Sequence, residues 1–394
     1  MTINPKITAY FDRAIFYLLV LFCLTATVSI SLSEIGFFGA FFVWLIKMVY
    51  TRDFTFKRTP ADLPLFIFTL LTLIAVFIGL EGGMVPANRF KPLSLMLMFP
   101  LVVNNVKDKK TAYKLFLCLF VSLFLQSAYI IYKGLTTLDL ASGIGIGGTM
   151  SVTLTAGELL VTLLGAVLCF LFTEKEKKIR LAGYFLLALG IVALAFTLAR
   201  GAWVAFAAVL LVFGGLRSKK AFLGVLVILV LAFSGNQFYK DTVIGRKINS
   251  TFELKSGTTL QRFAMWRSGL KMVKDRPFGI GIDNVIKKYP AYAEPAEIKR
   301  ERGHLHNNYL QIAVERGVLA LLAFLWFLYI VIKTAYVNYL KSSDLGAKAI
   351  YLSVILALVA FIVTGTFEYG LGSAIYAPLV WFFAAINQLL ITDC

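Results

Sequence analysis

The chain has 394 residues, 59% of them hydrophobic and 15% charged, and its mean hydropathy is positive. That apolar excess is too large to hide in one water-soluble core of this length, so the chain is expected in a membrane. A formal net charge of +18 would suit nucleic acid, but basic residues of a membrane chain must first be sorted by side of the bilayer; no nucleic-acid partner is expected.

Stretches such as Ala14 to Ser31 and Ala221 to Gly235 approach or reach the roughly 20 apolar residues that cross a bilayer as a helix. Barrel-type alternation is absent from the sequence, so the fold class expected is an all-α integral membrane protein. No small-residue cleavage site follows a short apolar core at the N-terminus, which predicts a retained first span. Of the four cysteines, Cys23, Cys118 and Cys169 fall inside apolar stretches and Cys394 ends the sequence, so no spacing suggests a disulfide or a metal site.

In chain order, hydropathy predicts about 12 transmembrane helices, near 14–31, 35–50, 63–80, 90–105, 112–132, 151–173, 181–197, 202–216, 220–236, 308–332, 348–367 and 373–392. With the N-terminus in the cytoplasm, the segments on that side carry twenty Lys and Arg, against only Arg89, Lys91, Lys133 and Arg200 in the short external loops. The positive-inside rule therefore predicts both termini inside. The run from Leu181 to Gly215 would be far too long for one bilayer-crossing helix, at about 1.5 Å per residue. Basic clusters flank it on both sides, so it is expected to fold back at "ARGA", leaving Arg200 at the outer surface between two helices.

This gives an expected organisation of nine spans over 1–236, one large periplasmic loop over 237–307, and three spans over 308–394. From Asn236 through Arg316 the chain holds fifteen Lys and Arg against eight Asp and Glu, an external excess that asks for an anionic partner. Within it, Leu260, Phe263, Trp266, Leu270 and Val273 recur at helical spacing among basic residues, predicting an amphipathic helix that lies on the membrane or caps the bundle. No internal repeat is evident.

The glycine stretches "PFGIGIDN" and "ASGIGIGGTM" lack the strand-turn-helix context of a nucleotide fingerprint, and the second reads as a flexible external loop. Both histidines, His304 and His306, lie where the long loop returns to a span. They lack the i, i+4 spacing of a metal pair, and Glu301 and Glu315 nearby do not repair that, so no metal is expected. They read either as interfacial polar residues or as a base, since imidazole titrates near neutrality and accepts a hydroxyl proton without a large shift. Arg200 alone reads as a snorkelling helix-end cation, and Arg262 and Arg267 as a solvated face. Taken together with Arg89 and Lys91, all on one side, they form a cationic set suited to a diphosphate.

"HNNYLQIAVERG", from His306 to Gly317, resembles the histidine signature of bacterial O-antigen ligases and the related polymerases: His, then Asn, Ser or Gln, nine residues, then Gly. His306, Asn307 and Gly317 match; Ala320 stands where the ligases carry Gly, Thr or Tyr. "ARGAW" from Ala199 and "LQRFAMWRSGLKMVKDRPFGIG" from Leu260 are similar to the family's arginine-bearing segments. The resemblance implies a GT-C-like glycosyltransferase that works without cofactor or metal. It would move a glycan from an undecaprenyl diphosphate donor to a sugar hydroxyl of a lipid A-core acceptor, with inversion, at the periplasmic face of the inner membrane. By matching position it implies His306 as catalytic base and Arg200 and Arg262 as diphosphate-binding residues. By position Arg267 would be a helper and Asn307 a supporting residue; Arg89 and Lys91 join the diphosphate-binding set from the charge pattern, and His304, which has no counterpart in the signature, is expected to be orienting or incidental. A polymerase or a protein O-oligosaccharyltransferase of the same superfamily would differ only in acceptor. A transporter for anionic substrates would instead place charge at mid-membrane, where Glu158 and Glu368 are the nearest cases.

Overall fold

A computed structural model describes residues 4–80, 84–137, 144–150, 152–234, 241–242, 245–246, 257–293 and 303–388. The protein is an all-α integral membrane protein. Among the described residues there is no strand, and eight helices are long and apolar enough to cross a membrane. These are α1 (Pro5–Thr25), α2 (Ile30–Thr51), α6 (Lys109–Thr136), α7 (Thr153–Thr173), α8 (Lys177–Phe196), α9 (Arg200–Arg217), α14 (Val318–Lys341) and α15 (Leu345–Thr364). Two apolar helices are shorter, α3 (Asp62–Phe77) and α16 (Tyr376–Ile386). Others are α4 (Lys91–Met96), α5 (Met98–Asn105), α10 (Lys219–Ser234), α11 (Gly257–Asp275), α12 (Val285–Lys288) and α13 (Asn308–Arg316).

Two expected spans are interrupted rather than continuous. The span over 90–105 breaks at Leu97 between α4 and α5. Pro100 is the cause, because it has no N–H for the carbonyl one turn back and its ring crowds that carbonyl. The span over 308–332 breaks at Gly317, whose φ of 89° separates α13 from α14. The long apolar run from Leu181 turns back as expected, with α8 ending at Phe196 and α9 starting at Arg200. The span near 373–392 is described only as α16, and residues from 389 onward lie outside the described part.

Helices α7 and α15 form the centre. Both are apolar on every side and buried along almost their whole length, the pattern of a helix surrounded by others rather than by lipid. Their ends set the site: the start of α7 meets the end of α15 where α8 turns into α9. The other end of the bundle carries the basic clusters. There Asp12 bridges Lys47 at 2.7 Å and Lys107 at 2.8 Å, and Asp344 bridges Lys109 at 2.6 Å.

Helix α11 is present, and the apolar stripe expected along it divides, Trp266 and Val273 packing partly against the protein and the rest staying exposed. Met265, Ser268 and Met272 are buried, while Leu260, Phe263 and Leu270 stay exposed. The buried methionines join Ile280, Val285, Leu305 and Val314 in a small second core. The stretch "ASGIGIGGTM" is also not a free loop where it is described. Ile146 is buried and its N–H caps the Phe196 carbonyl of α8 at 3.0 Å, and the Thr149 hydroxyl donates to the Val28 carbonyl at 2.7 Å. Its residues 141–143 lie outside the described part.

Candidate functional site

The histidine motif explains itself once folded. Asn307 is the N-cap of α13, its side chain accepting the Leu310 N–H at 2.9 Å, as an Asn at a helix start is suited to do. The nine residues of α13 then run to Gly317. The motif's spacing is therefore a helix length, ended by a residue with φ of 89° that an L side chain rarely adopts. A Cβ on Gly317 would also meet the Phe278 backbone at 2.7 Å. The "PFGIG" strap accounts for that crowding: Ile280 N–H donates to Val314 O, Gly281 N–H to Glu315 O, and Val318 N–H to Pro277 O, each between 2.9 and 3.0 Å. It satisfies the carbonyls that a helix end otherwise leaves open.

At its other end α13 is latched to the turn after α15. Asn308 N–H donates to Gly365 O at 2.7 Å, Asn307 Nδ2 to Thr366 O at 3.2 Å, and the Tyr309 hydroxyl to Ile362 O at 2.8 Å. That latch brings Glu368 to the histidines. Its Oε2 lies 2.8 Å from His306 Nδ1 and its Oε1 3.1 Å from His304 Nε2, and Oε1 also accepts the Tyr369 N–H at 3.0 Å. The two imidazoles are 4.3 Å apart between ring centres. His306 takes a left-handed φ of 47°, a backbone state that costs energy and clusters at functional sites; it turns the chain so that the ring faces Glu368 while Asn307 begins the helix.

Glu368 lies outside the membrane-spanning helices and is mostly buried. Burial pushes its carboxyl up, but hydrogen bonds with His304 and His306, the nearby His306 and the Tyr369 N–H together hold it well below the ordinary glutamate range. An ionised carboxylate accepts only, so this contact places a proton on His306 Nδ1, and in the neutral ring Nε2 is the nitrogen with the lone pair. The sign of the stability effect follows. A carboxyl depressed in the folded state stabilises at pH above its unfolded value and loses that contribution as pH falls through its folded value. Glu368→Gln is therefore expected to unfold at a lower temperature than the unaltered protein above about pH 5, with the gap closing on further acidification. Thermal unfolding across that range measures it, and a gap independent of pH would refute the assignment.

Two cavities meet at this point. One, of about 290 Å³, is lined by Arg200, Gly201, Arg262, Glu158 and Glu368 among others. The second, of about 320 Å³, is lined by His304, His306, Glu368, Tyr369 and Glu158 among others. Arg200 is the first residue of α9, and Ala199, Gly201 and Ala202 line the cavity beside it, so the cavity lies at the start of a helix, the end that favours anions. Arg262 comes from α11, tied to the histidine segment by a hydrogen bond from Trp266 Nε1 to Leu305 O of 3.2 Å. Burial disfavours its cation first, Glu368 opposes that, and Arg200 adds to it. His304, His306 and Glu368 present ligand atoms all within 4.8 Å of one another, a set that could hold a metal ion; the third ligand that sequence spacing did not offer comes from Glu368.

The remaining expected residues lie elsewhere. Arg89 is 4% exposed, and its guanidinium donates to the Val76, Ile78 and Gly79 carbonyls at the end of α3 and to Asn284 Oδ1. It caps a helix instead of lining either cavity. Lys91, at the start of α4, is exposed, and Arg267 sits five residues beyond Arg262 on α11 with an exposed side chain. Neither lines either cavity. Glu368 and Glu158, which do, were read from the sequence only as the nearest cases of charge at mid-membrane. An acid at the same outer end as the histidines is the signal that would have singled out Glu368.

A polytopic all-α membrane protein with a cationic cavity beside a histidine–carboxylate pair is thus the class that fold and site define. The O-antigen ligase family model matches residues 185–325, from within α8 to the beginning of α14. It takes in Arg200, Arg262, His304 and His306, and supports assignment of the chain to the O-antigen ligase/polymerase superfamily, a glycosyltransferase-like class of enzyme. No curated protein matches the chain.

Proposed function

We propose that the chain is an O-antigen ligase, moving a glycan from undecaprenyl diphosphate to a sugar hydroxyl of lipid A-core at the periplasmic face of the bacterial inner membrane. The observation that carries this reading is the meeting of the Arg200–Arg262 cavity with the His306–Glu368 pair. The four-to-twenty sorting of cations supports an outward-facing site with both termini in the cytoplasm.

In this mechanism the donor diphosphate lies against the two arginines and the first N–H groups of α9. His306 Nε2 takes the proton of the acceptor hydroxyl. The acceptor oxygen forms a bond to the anomeric carbon as the bond from that carbon to the diphosphate oxygen breaks, and the electron pair leaves on undecaprenyl diphosphate. Glu368 fixes the tautomer of the neutral imidazole and stabilises the imidazolium that forms from it, as a carboxylate beside a catalytic histidine does. Fixed cations take up the charge developing on the leaving group, work otherwise given to a divalent ion. Arg267, Arg89 and Lys91 are left outside this set by their positions, and Asn307 holds His306 in place by starting α13.

The test is reconstitution in liposomes with a lipid-linked O-antigen donor and lipid A-core. Glycan appearing on the core with inverted anomeric configuration, in the presence of a metal chelator, is the expected result. Elongation of the lipid-linked glycan without transfer to the core would replace ligase by polymerase, and transfer that stops with the chelator would overturn the metal-independent mechanism.

A further inference from the structure

Glu158 is a buried carboxyl that the mechanism above leaves unused. It lies near the start of α7, is 2% exposed, and neither of its carboxyl oxygens has a hydrogen-bond partner among the described residues. Its Oε1 lies so close to the backbone of Gly370 that a Cβ there would come within 2.6 Å of it. One turn further along α7, the Thr162 hydroxyl is paired with that of Tyr376 at 3.0 Å. Buried polar atoms without partners are rare and costly, and here two sit on one group. Glu158 also lines both cavities, with Arg200 and Arg262 in one and His304 and His306 in the other.

We propose that Glu158 is the recognition residue for the sugar joined directly to the diphosphate, its carboxyl hydrogen-bonding that sugar's hydroxyl or amide groups. The inference rests on the function proposed above. With the diphosphate at the arginines and the acceptor hydroxyl at His306, the reacting sugar spans the boundary between the cavities, and Glu158 faces both. A pyranose brings the donors that the protein does not supply.

Binding of short probes to the full-length protein in detergent tests this: farnesyl diphosphate alone, and farnesyl diphosphate carrying glucose or N-acetylglucosamine. The unaltered protein is expected to bind at least one glycosylated probe tighter than the bare one by about tenfold, the upper end of what one hydrogen bond contributes. Glu158→Leu is expected to abolish that preference without weakening the bare probe, and the isosteric Glu158→Gln, which keeps one acceptor oxygen, to retain part of it. A preference that survives in both variants, or is absent from the unaltered protein, overturns the inference and leaves the ligase reading standing. Bare-probe binding lost in both variants makes Glu158 a residue that only shapes the cavity and overturns it as well. An unaltered protein that binds neither kind of probe removes the diphosphate reading itself, and this one with it.

Discussion

His306→Ala is expected to lower the rate of glycan transfer by about a hundredfold to ten-thousandfold, the range a positioned general base contributes. The reason is geometric. Glu368, 2.8 Å from Nδ1, leaves Nε2 as the ring atom able to take a hydroxyl proton, and His304 is held through its Nε2 by the other carboxylate oxygen. Alanine has a second consequence at this position, because φ is 47° there and most L residues avoid that region. His306→Asn is the cleaner variant: Asn tolerates the left-handed conformation and removes the base. Both variants should show the same rate loss, with His306→Asn unfolding closer to the unaltered protein. Glu368→Gln, which keeps the shape and removes the charge, should fall between the unaltered enzyme and His306→Asn. Initial transfer rates in liposomes measure all three, and a rate within threefold of the unaltered enzyme for His306→Asn would remove His306 as the base.

What could be read from the sequence is what depends on local pattern. The fold-back at Arg200 follows from basic clusters on either side of an overlong apolar run, and the helix at Asn308–Arg316 is the spacing of the His306 motif made physical. Glu368 was not legible because its partner lies 62 residues away in sequence; only the hydrogen bonds of Asn307, Asn308 and Tyr309 to the end of α15 bring the two together, and the family match ends before it. The partners of Arg89 were not legible for a related reason. Sorting charges by side of a membrane tells which surface a residue reaches, not that the carbonyls of Val76, Ile78 and Gly79 surround it there. The helix α11 was legible from periodicity, but which of its faces packs on the protein was not, because periodicity cannot tell protein from lipid. Leu260, Phe263 and Leu270 make an apolar stripe, yet Met265 and Met272 pack on the protein.

Replacing Arg262 by alanine is expected to lower kcat/KM for the lipid-linked donor by about a hundredfold to a thousandfold, the loss typical when one fixed group that stabilises developing charge is removed. Arg200→Ala should do the same, since both line the cavity at the start of α9. Lysine at either position keeps the charge but not the two-pronged geometry that matches a diphosphate, so Arg262→Lys should recover only part of the loss. The two alanine variants combined should cost less than the product of the single losses, because groups that grip one ligand do not act independently. Arg89 supplies the contrast. Its guanidinium is engaged with helix-end carbonyls, so Arg89→Ala should lower the unfolding temperature while the protein that stays folded transfers glycan at close to the normal rate. Donor titrations and thermal unfolding on the same preparations separate the two kinds of arginine. Equal kinetic losses for Arg89 and Arg262 would mean that the cationic side as a whole, rather than this cavity, holds the diphosphate.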